Sequence, residues 1–319
     1  MNFPIGIVGP GALGGLFGAR LAASRLEVRF LAKNSRQAEE LKQHGLRILG
    51  AWTCRIPGRH LRISNRPETL RGARLILVCV KSKDTQKAVQ ALRKITTPQT
   101  LILSLQNGLA HIPALKKAFR PSQILLGSSS TAAFRINSHT IRYCGGNRVF
   151  LGPSGKDASL IIRKWLTRAG FRVKRFSSLE SLLWTKLTLN AALNPLTALL
   201  KKNNGELARN PATRELLRLA VHESSRVARS SKIPLLYSDP NAAILRLCRE
   251  TSQNVNSMRW DMEHGRRTEA DSILGPVLKK AKQSHVPVPI LSRLHRWIKQ
   301  MERNPSWKGK PRKSSGSVS

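Results

Sequence analysis

Three polar side chains recur at four-residue steps inside an apolar segment in the second half of the chain. Lys186, Asn190 and Asn194 lie in the stretch ESLLWTKLTLNAALNPLTALL. Because four residues advance an α-helix by about 400°, the three side chains fall within roughly 80° of one another on one face. Burial of these groups without partners would cost roughly a few kcal/mol for each amide and more for the ammonium. The pattern therefore predicts either a polar ligand or an interhelical polar network at this face.

A glycine-rich turn joins the first predicted strand, Ile5 to Val8, to a helix that continues to about Arg25. The turn has the spacing GxGxxG. In that motif the first glycine permits a tight turn, the second lets the backbone approach a pyrophosphate, and the third lets the helix pack closely on the strand. The first N–H groups of the helix are free to bind phosphate, so we predict a dinucleotide site. Its predicted cofactor contacts are Gly9, Gly11, Ala12, Leu13 and Gly14.

The residues after the second predicted strand, Val28 to Leu31, favour NADPH over NADH as the cofactor. In NAD-binding proteins an acid at this place holds the ribose 2′-hydroxyl, whereas this chain has Ala-Lys-Asn-Ser-Arg and no acid. A cation suits the additional 2′-phosphate of NADP, which a carboxylate would repel. Lys33 is better placed than Arg36 to bind that phosphate.

Two further predicted strands, Leu75 to Val80 and Leu101 to Leu105, are followed by Lys81 and by a turn at Asn107. Ligands of open parallel sheets bind outside the carboxyl ends of the strands. We therefore expect Lys81 and Asn107 to face the cofactor crevice, with a solvated helix cap and a plain turn as the alternatives. Further strands are predicted over Ile124 to Gly127, Thr140 to Tyr143, Val149 to Gly152 and Phe171 to Arg175, with a helix from about Ala158 to Ala169.

The remainder of the chain is predicted to be helical. Ser177 and Glu180 have capping-box spacing at the start of a long helix, and Pro195 is expected to kink that helix because it lacks a backbone N–H. The sequence NNGEL then predicts a turn at Asn204 and Gly205. Further helices are predicted over Pro211 to Ser230, Asp239 to Met258, Thr268 to Gln283 and Ile290 to about Glu302.

The predicted fold class is α/β. An N-terminal Rossmann-type dinucleotide-binding domain at 1–175 is followed by an all-helical C-terminal domain at 176–303. The last residues, 304–319, are polar and basic, and we predict a disordered tail there.

A second polar cluster lies near the end of the predicted helical domain. It contains Asn254, Asn256, Ser257, Asp261 and Glu269. An exposed polar helix and loop is the alternative explanation. Glu269 directly precedes the segment ADSILG, and acids are rare in this chain, which has only 17 of them. Both facts favour a functional role for Glu269.

The formal net charge of +39 attracts polyanions and carries no information about the fold. The basic residues are spread along the chain, and no helix-turn-helix or zinc-finger motif is present, which argues against specific nucleic-acid recognition.

The four cysteines and eight histidines form no CxxC or HExxH spacing, so no metal site is predicted. Apolar runs are far shorter than the roughly 20 residues that span a bilayer, so we expect a cytoplasmic protein without membrane contact.

Together these motifs resemble those of the ketopantoate reductase family (2-dehydropantoate 2-reductase), over about residues 1–303. The segments that carry the resemblance are GPGALGG, VCVKSKDT, LQNGL, WTKLTLNAALNPLTAL, NNGEL and NVNSMRWDMEHGRRTEADSILG. Their order and spacing are more specific than any one motif. The resemblance implies an NADPH-dependent enzyme of pantothenate synthesis, with a Rossmann domain, a helical domain and an active site in the cleft between them.

Carried over by position, the resemblance implies a role for each candidate residue. Lys186 matches the family's catalytic lysine, and Glu269 matches its active-site acid. The implied cofactor contacts are the five residues of the glycine turn named above together with Lys33, Lys81 and Asn107. The implied substrate-binding residues are Asn107, Asn190, Asn194, Asn204, Asn254 and Ser257. Asn256 departs from the family pattern, which usually has a small residue there.

The resemblance implies reduction of 2-dehydropantoate to pantoate, and the residue types agree with hydride addition to the C2 ketone and with Lys186 as general acid. A reductase of another branched 2-oxo acid is the nearest alternative, because the apolar residues that set specificity cannot be placed from sequence. A non-catalytic nucleotide-sensing protein and a charge-driven nucleic-acid-binding protein are alternatives of other classes, and the pair of Lys186 and Glu269 argues against a sensor. The expected partners are NADPH and a small 2-oxo acid, and a homodimer is compatible with the sequence.

Overall fold

The computed structural model describes residues 3–153 and 156–304. The chain divides into two compact units between Leu183 and Trp184. The predicted domain limits, 1–175 and 176–303, stay a prediction, and the predicted tail lies outside the described residues from 305 onward. Within the described ranges, no helix is both long and apolar enough to cross a membrane.

The first unit is built on β-strands joined by helices. Its strands are β1 (Ile5–Val8), β2 (Val28–Leu31), β3 (Leu46–Gly50), β4 (Cys54–Ile56), β5 (Arg62–Ser64), β6 (Leu75–Val78), β7 (Leu101–Ser104), β8 (Ile124–Ser129), β9 (Ala132–Arg135), β10 (Thr140–Gly145), β11 (Arg148–Leu151) and β12 (Arg172–Arg175). Its helices are α1 (Ala12–Ala23), α2 (Ser35–His44), α3 (Thr85–Arg93), α4 (Ile112–Ala118) and α5 (Lys156–Arg168), and α6 (Leu179–Leu200) continues from this unit into the second. Short 3₁₀ helices lie at Gly58–His60, Pro67–Leu70, Ser82–Asp84 and Pro121–Gln123.

The larger sheet has the strand order β12-β11-β8-β7-β6-β1-β2-β5. β1 pairs in parallel with β2 on one side and with β6 on the other, so that Ile5 lies opposite both Val28 and Leu75. Parallel pairing continues from β6 through β7 to β8, and from β2 to β5. The strand order therefore reverses at β1, and the carboxyl end of such a strand is where open parallel sheets bind ligands. This arrangement confirms the predicted Rossmann-type fold.

The central strands β1 and β6 are buried at every position. Helices cover both faces of a parallel sheet, which explains why these strands have uninterrupted apolar sequences. On one face, Phe17 of α1 stacks on Phe171 with the ring centroids 4.1 Å apart. The predicted strands are confirmed in place, and their ends differ from the prediction by at most two residues.

A second, smaller sheet with the order β4-β3-β10-β9 was not predicted. Of its strands only β10 was predicted, because β3, β4 and β9 have three to five residues and are too short to show a clear alternating pattern. Leu46, Ile48, Ile141 and Tyr143 bury their side chains in the core of the first unit. The sheet therefore forms because folding brings β3 and β10 together, over 80 residues apart in the chain as their ranges show.

The second unit is helical, as predicted. Besides the greater part of α6 it contains α7 (Asn204–Arg209), α8 (Pro211–Ser230), α9 (Pro240–Glu250), α10 (Ser257–Glu263), α11 (Ala270–Gln283) and α12 (Pro289–Arg303). The limits of α8 match the predicted ones. The buried Glu223 of α8 accepts hydrogen bonds from the N–H groups of Ile290 and Leu291, each at 2.9 Å, and so fixes the start of α12.

The prediction of one helix over Asp239 to Met258 is wrong, because α9 ends at Glu250 and α10 begins at Ser257. The Thr251 hydroxyl donates to Leu247 O at 2.6 Å and accepts from Asn204 Nδ2 at 2.8 Å. Side-chain bonds of this kind compete with the helical backbone pattern and end a helix.

Three predicted helix starts also differ slightly from the observed ones. Ser178, and not Ser177, caps α6, since its Oγ accepts from Ser181 N at 3.1 Å. The predicted long helix then continues through Pro195 to Leu200. The last two helices, α11 and α12, begin within two residues of their predicted starts.

Asn204 does not lie in a turn, in contrast to the prediction. It is the first residue of α7, and Asn203 precedes that helix as its cap. The Glu206 carboxylate accepts from Asn203 N at 2.7 Å, which completes a capping box.

Candidate active site

The glycine turn lies at the carboxyl end of β1, where the strand order reverses. Gly9 has a φ of +86°, a conformation that favours glycine, and its carbonyl accepts from Gly11 N at 2.7 Å. A Cβ at Gly14 would lie 2.2 Å from the Gly9 oxygen and 2.9 Å from the Cβ of Cys79. The turn therefore requires glycine at its first motif position for backbone conformation and at its third for packing.

Gly11, at the second motif position, faces open space. A Cβ there would have no heavy atom within 4 Å. Among the described residues, the N–H groups of Ala12, Leu13 and Gly14 make no hydrogen bond, because the helical bonds of α1 begin with Gly15 N to Gly11 O at 2.8 Å. An open backbone surface beside a helix amino terminus fits the pyrophosphate of a dinucleotide.

Lys33 lies directly after β2 and Ala32, as predicted, and its backbone N–H donates to Gln37 Oε1 at 2.9 Å. Its ammonium group is mostly exposed and lies 3.6 Å from the carboxylate of Asp84. The sequence showed no acid after β2, but folding brings Asp84 to this position from the segment after β6. This acid was missed because it is distant in the chain. Arg36 is almost fully exposed and pairs with Glu40 on the same helix.

Lys81 and Asn107 follow β6 and β7 and are partly exposed. The buried Gln106, which was not predicted, joins the two segments: its Nε2 donates to Val80 O and to Thr85 Oγ1, each at 2.8 Å. The structure therefore brings the segments that contain Lys81 and Asn107 together at the carboxyl edge of the sheet. Gln106 could have been suspected from its position beside Asn107.

The polar face of α6 exists as predicted. Lys186 and Asn190 are half-buried, and Asn194 is 5% exposed. Within the described residues, the side chains of Asn190 and Asn194 make no hydrogen bond. An interhelical network would have supplied such bonds, so the face is better suited to a polar ligand.

Lys186 and Glu269 interact electrostatically. Burial lowers the pKa of Lys186 to about 8, and the negative charge of Glu269 opposes that shift. Glu269 stands immediately before α11, at its cap position, with no side-chain hydrogen bond to the start of that helix. The pair therefore combines an amine whose pKa is about 8 with a carboxylate that favours the charged form of that amine.

The loop between α9 and α10 contacts α6 through Asn256. Asn256 Nδ2 donates to Thr197 Oγ1, and that hydroxyl donates to Asn194 O at 2.9 Å. Asn254 and Ser257 flank Asn256 closely, so this contact brings both residues to the part of α6 that contains Asn194. Asn256 also caps α10 by accepting from its third N–H, so the residue that departs from the family pattern has a structural role here.

Asn204 is 4% exposed, and its Nδ2 donates to Thr251 Oγ1. Its Oδ1 is buried and has no hydrogen-bond partner within the described residues. The structure thus places Asn204 beside the end of α9 and leaves its predicted role in substrate binding a prediction. Among the described residues, no group of His, Cys, Asp and Glu side chains could hold a metal ion.

Family models match both parts of the chain. The model for ketopantoate reductase PanE/ApbA matches residues 5–156, and the model for the C-terminal part of ketopantoate reductase PanE/ApbA matches residues 178–302. Together the two matches include every candidate residue named above.

Similar proteins match over nearly the whole chain. A 2-dehydropantoate 2-reductase of Halobacterium salinarum is 29% identical over 304 residues, covering 93% of this chain and 98% of that protein. A 2-dehydropantoate 2-reductase of Archaeoglobus fulgidus is 30% identical over 281 residues, covering 87% and 90%. The crystal structure of 2-dehydropantoate 2-reductase from Geobacter metallireducens GS-15 has a TM-score of 0.85 at 26% identity, covering 93% and 99%. The chain belongs to the ketopantoate reductase family of oxidoreductases.

Proposed function

We propose that this chain catalyses the NADPH-dependent reduction of 2-dehydropantoate to pantoate. The observation that carries the proposal is the polar face of α6, where Lys186 has a pKa of about 8 and interacts with Glu269. Two observations support the choice of substrate. The chain belongs to the ketopantoate reductase family, and relatives named 2-dehydropantoate 2-reductase match it over most of both chains.

Lys186 acts as the general acid in this proposal. Bound NADPH would supply a hydride to C2 of the 2-oxo acid. The ketone oxygen then gains negative charge, which the ammonium group of Lys186 stabilises before it donates a proton from Nζ. The product is the alcohol, and neutral Lys186 regains its proton from solvent. A pKa of about 8 keeps the donor mostly protonated at neutral pH and makes it a stronger acid than an ordinary lysine.

Neutral polar side chains orient the substrate. Asn190, Asn194 and Asn254 can donate from amides and accept at carbonyl oxygens, and the Ser257 hydroxyl can do both. Within the described residues none of these side chains makes a hydrogen bond with another protein group. They are therefore able to bind the carboxylate and the hydroxyl of a small 2-oxo acid and to fix the face of C2 that receives hydride.

NADPH is the proposed cofactor. The open backbone at Gly11 and the free N–H groups at the start of α1 suit the pyrophosphate. The exposed ammonium group of Lys33 suits a 2′-phosphate. The negative charge of Asp84 disfavours a 2′-phosphate. The choice between NADPH and NADH therefore depends on the opposing charges of Lys33 and Asp84.

Oxidation of NADPH in the presence of 2-dehydropantoate tests the proposal. We expect turnover by the parent chain, and a loss in kcat of about 10²–10⁴ for Lys186→Ala with NADPH affinity retained, because a general acid has been removed. Lys279→Ala removes an exposed lysine of α11 and serves as the matched control, with activity like the parent.

Turnover of Lys186→Ala at the parent rate would show that the proton donor is another group. A panel of branched 2-oxo acids separates the proposed substrate from its nearest alternatives. If another member of the panel has a higher kcat/KM than 2-dehydropantoate, the reaction class stands and the substrate assignment is wrong. If none is reduced, the reductase activity is wrong.

A further inference from the structure

Glu302, close to the end of α12, holds the backbone that precedes Glu269. Its Oε1 accepts from Thr268 N at 2.8 Å and from Thr268 Oγ1 at 2.7 Å. The side chain of Glu302 is only 7% exposed, so two hydrogen bonds to one oxygen in a largely dry environment restrain Thr268 strongly. Thr268 Oγ1 in turn accepts from Ala270 N at 3.2 Å, across Glu269.

Glu302 is itself fixed by charged neighbours on α11 and α12. Its Oε2 lies 3.0 Å from Lys299 Nζ, and the same ammonium group lies 2.7 Å from Asp271. Asp271 also lies 2.9 Å from His295 Nε2 and 4.0 Å from the guanidinium group of Arg267. Burial alone would raise the pKa of Glu302, but the bonds from Thr268 and Lys299 outweigh it and lower that pKa, so the carboxylate stays charged at neutral pH.

Glu269 follows Thr268 directly in the chain, so this restraint acts on the backbone of Glu269. Its own side chain does not cap the helix, while its carbonyl accepts from Ser272 N at 2.9 Å and from Ile273 N at 3.0 Å. The backbone of Glu269 is therefore fixed on its carboxyl side by α11 and on its amino side through Thr268. This fixed backbone limits the positions that the Glu269 carboxylate can take, and that carboxylate interacts electrostatically with Lys186.

We infer that Glu302 is a positioning residue that acts through Thr268 to hold the Glu269 carboxylate beside Lys186. The catalytic meaning of this inference rests on the proposed function. The geometry involves only α6, α11, α12 and the two residues before α11, Thr268 and Glu269. Neither Glu302 nor Thr268 is assigned to contact the substrate or the cofactor. A purely structural link between α11 and α12 would stabilise the fold without affecting Lys186.

The test measures the titration of Lys186 in the full-length protein without substrate or cofactor. Brief acetylation with acetic anhydride over a range of pH, followed by mass spectrometry of the peptide that contains Lys186, reports its apparent pKa. Glu302→Ala and Glu302→Gln remove the same negative charge, but only Glu302→Gln keeps an oxygen that accepts from Thr268. Any long-range effect of the lost charge is therefore common to both variants.

We expect the apparent pKa of Lys186 to be lower in Glu302→Ala than in Glu302→Gln, by about half a pH unit, because a displaced anion favours the ammonium less. In a Glu269→Gln background the difference between the two variants is expected to disappear. Equal values in the two single variants would overturn the inference, as would a difference that persists without Glu269.

Thermal unfolding of each variant shows whether the labelled protein is folded. If Glu302→Ala does not fold, Thr268→Val replaces it: this change keeps the backbone bond and removes the hydroxyl bond, so a smaller decrease in the same direction supports the inference and no decrease overturns it. Because acetylation requires no turnover, a failure here is distinguishable from a failure of the reductase assay.

Discussion

The carboxylate of Glu269 raises the pKa of Lys186, while burial lowers it to about 8. Burial is the larger effect, so the ammonium group is a stronger acid than an ordinary lysine and still mostly charged at pH 7. The two opposing effects define the pH range in which the proposed proton donor works.

This balance predicts the pH profile of reduction. Lys186 donates a proton only when charged, so kcat should be constant below its pKa and fall about tenfold per pH unit above it. Glu269→Gln removes the charge that favours the ammonium, so the decline should begin at a lower pH. The measurement is kcat against pH with both substrates saturating. A decline that moves to higher pH in Glu269→Gln would contradict the assignment.

The ion pair between Lys33 and Asp84 predicts how the cofactor is selected. Lys33→Ala should weaken NADPH binding by about tenfold and leave NADH binding nearly unchanged, since only the 2′-phosphate is lost as a partner. Asp84→Asn should strengthen NADPH binding several-fold, because a nearby negative charge repels phosphate. Titration of both cofactors by fluorescence measures these changes. Arg36→Ala is the matched control because Arg36 is exposed and paired with Glu40, and an equal loss there would contradict the role of Lys33.

Two glycines of the turn predict separable effects on binding and stability. Gly11→Ala places a Cβ in open space, so the protein should unfold at the parent temperature and yet bind NADPH much more weakly if the pyrophosphate lies there. Gly14→Ala places a Cβ 2.2 Å from the Gly9 oxygen, so it should also destabilise the fold by about 1–3 kcal/mol. Thermal unfolding and NADPH titration measure the two effects. Unchanged NADPH affinity in Gly11→Ala would place the pyrophosphate elsewhere.

Substitution of Asn194 tests whether the polar face of α6 binds a ligand or belongs to a polar network within the protein. Its buried amide makes no hydrogen bond within the described residues, so Asn194→Leu should leave stability unchanged or raise it by about 1 kcal/mol while KM for the 2-oxo acid rises. Asn256→Leu is the contrasting variant: it loses a helix cap and the bond to Thr197, and should cost about 1–2 kcal/mol. Denaturant unfolding and steady-state kinetics measure both. A large destabilisation by Asn194→Leu would favour a network.

The net charge of +39 predicts weak binding of nucleic acid without selectivity. Binding that depends on release of counterions falls steeply as salt rises. Fluorescence anisotropy with two DNA duplexes of unrelated sequence should therefore give equal affinities that are lost near physiological salt. Selective binding that survives physiological salt would indicate a nucleic-acid partner.

Features whose signals are local in the chain were predicted to within one or two residues. The glycine turn follows β1 directly, and the apolar runs of β1 and β2 identify both strands without distant information. The limits of α8 were predicted because Pro211 suits a first helical turn and the apolar spacing continues to the end of the helix. The candidate residues of α6 were likewise found from spacing alone.

The remaining features depend on residues that are distant in the chain. The break between α9 and α10 involves a bond between Thr251 and Asn204, which are 47 positions apart, and the hold of Glu302 on Thr268 spans 34 positions. The ion pair of Lys33 with Asp84 and the pairing of β3 with β10 also require the folded chain. Hydrogen bonds, ion pairs and pKa shifts depend on separation in space and on burial, and residue order specifies neither. The amino-acid order therefore revealed which side chains could perform the chemistry, and folding established which of them interact.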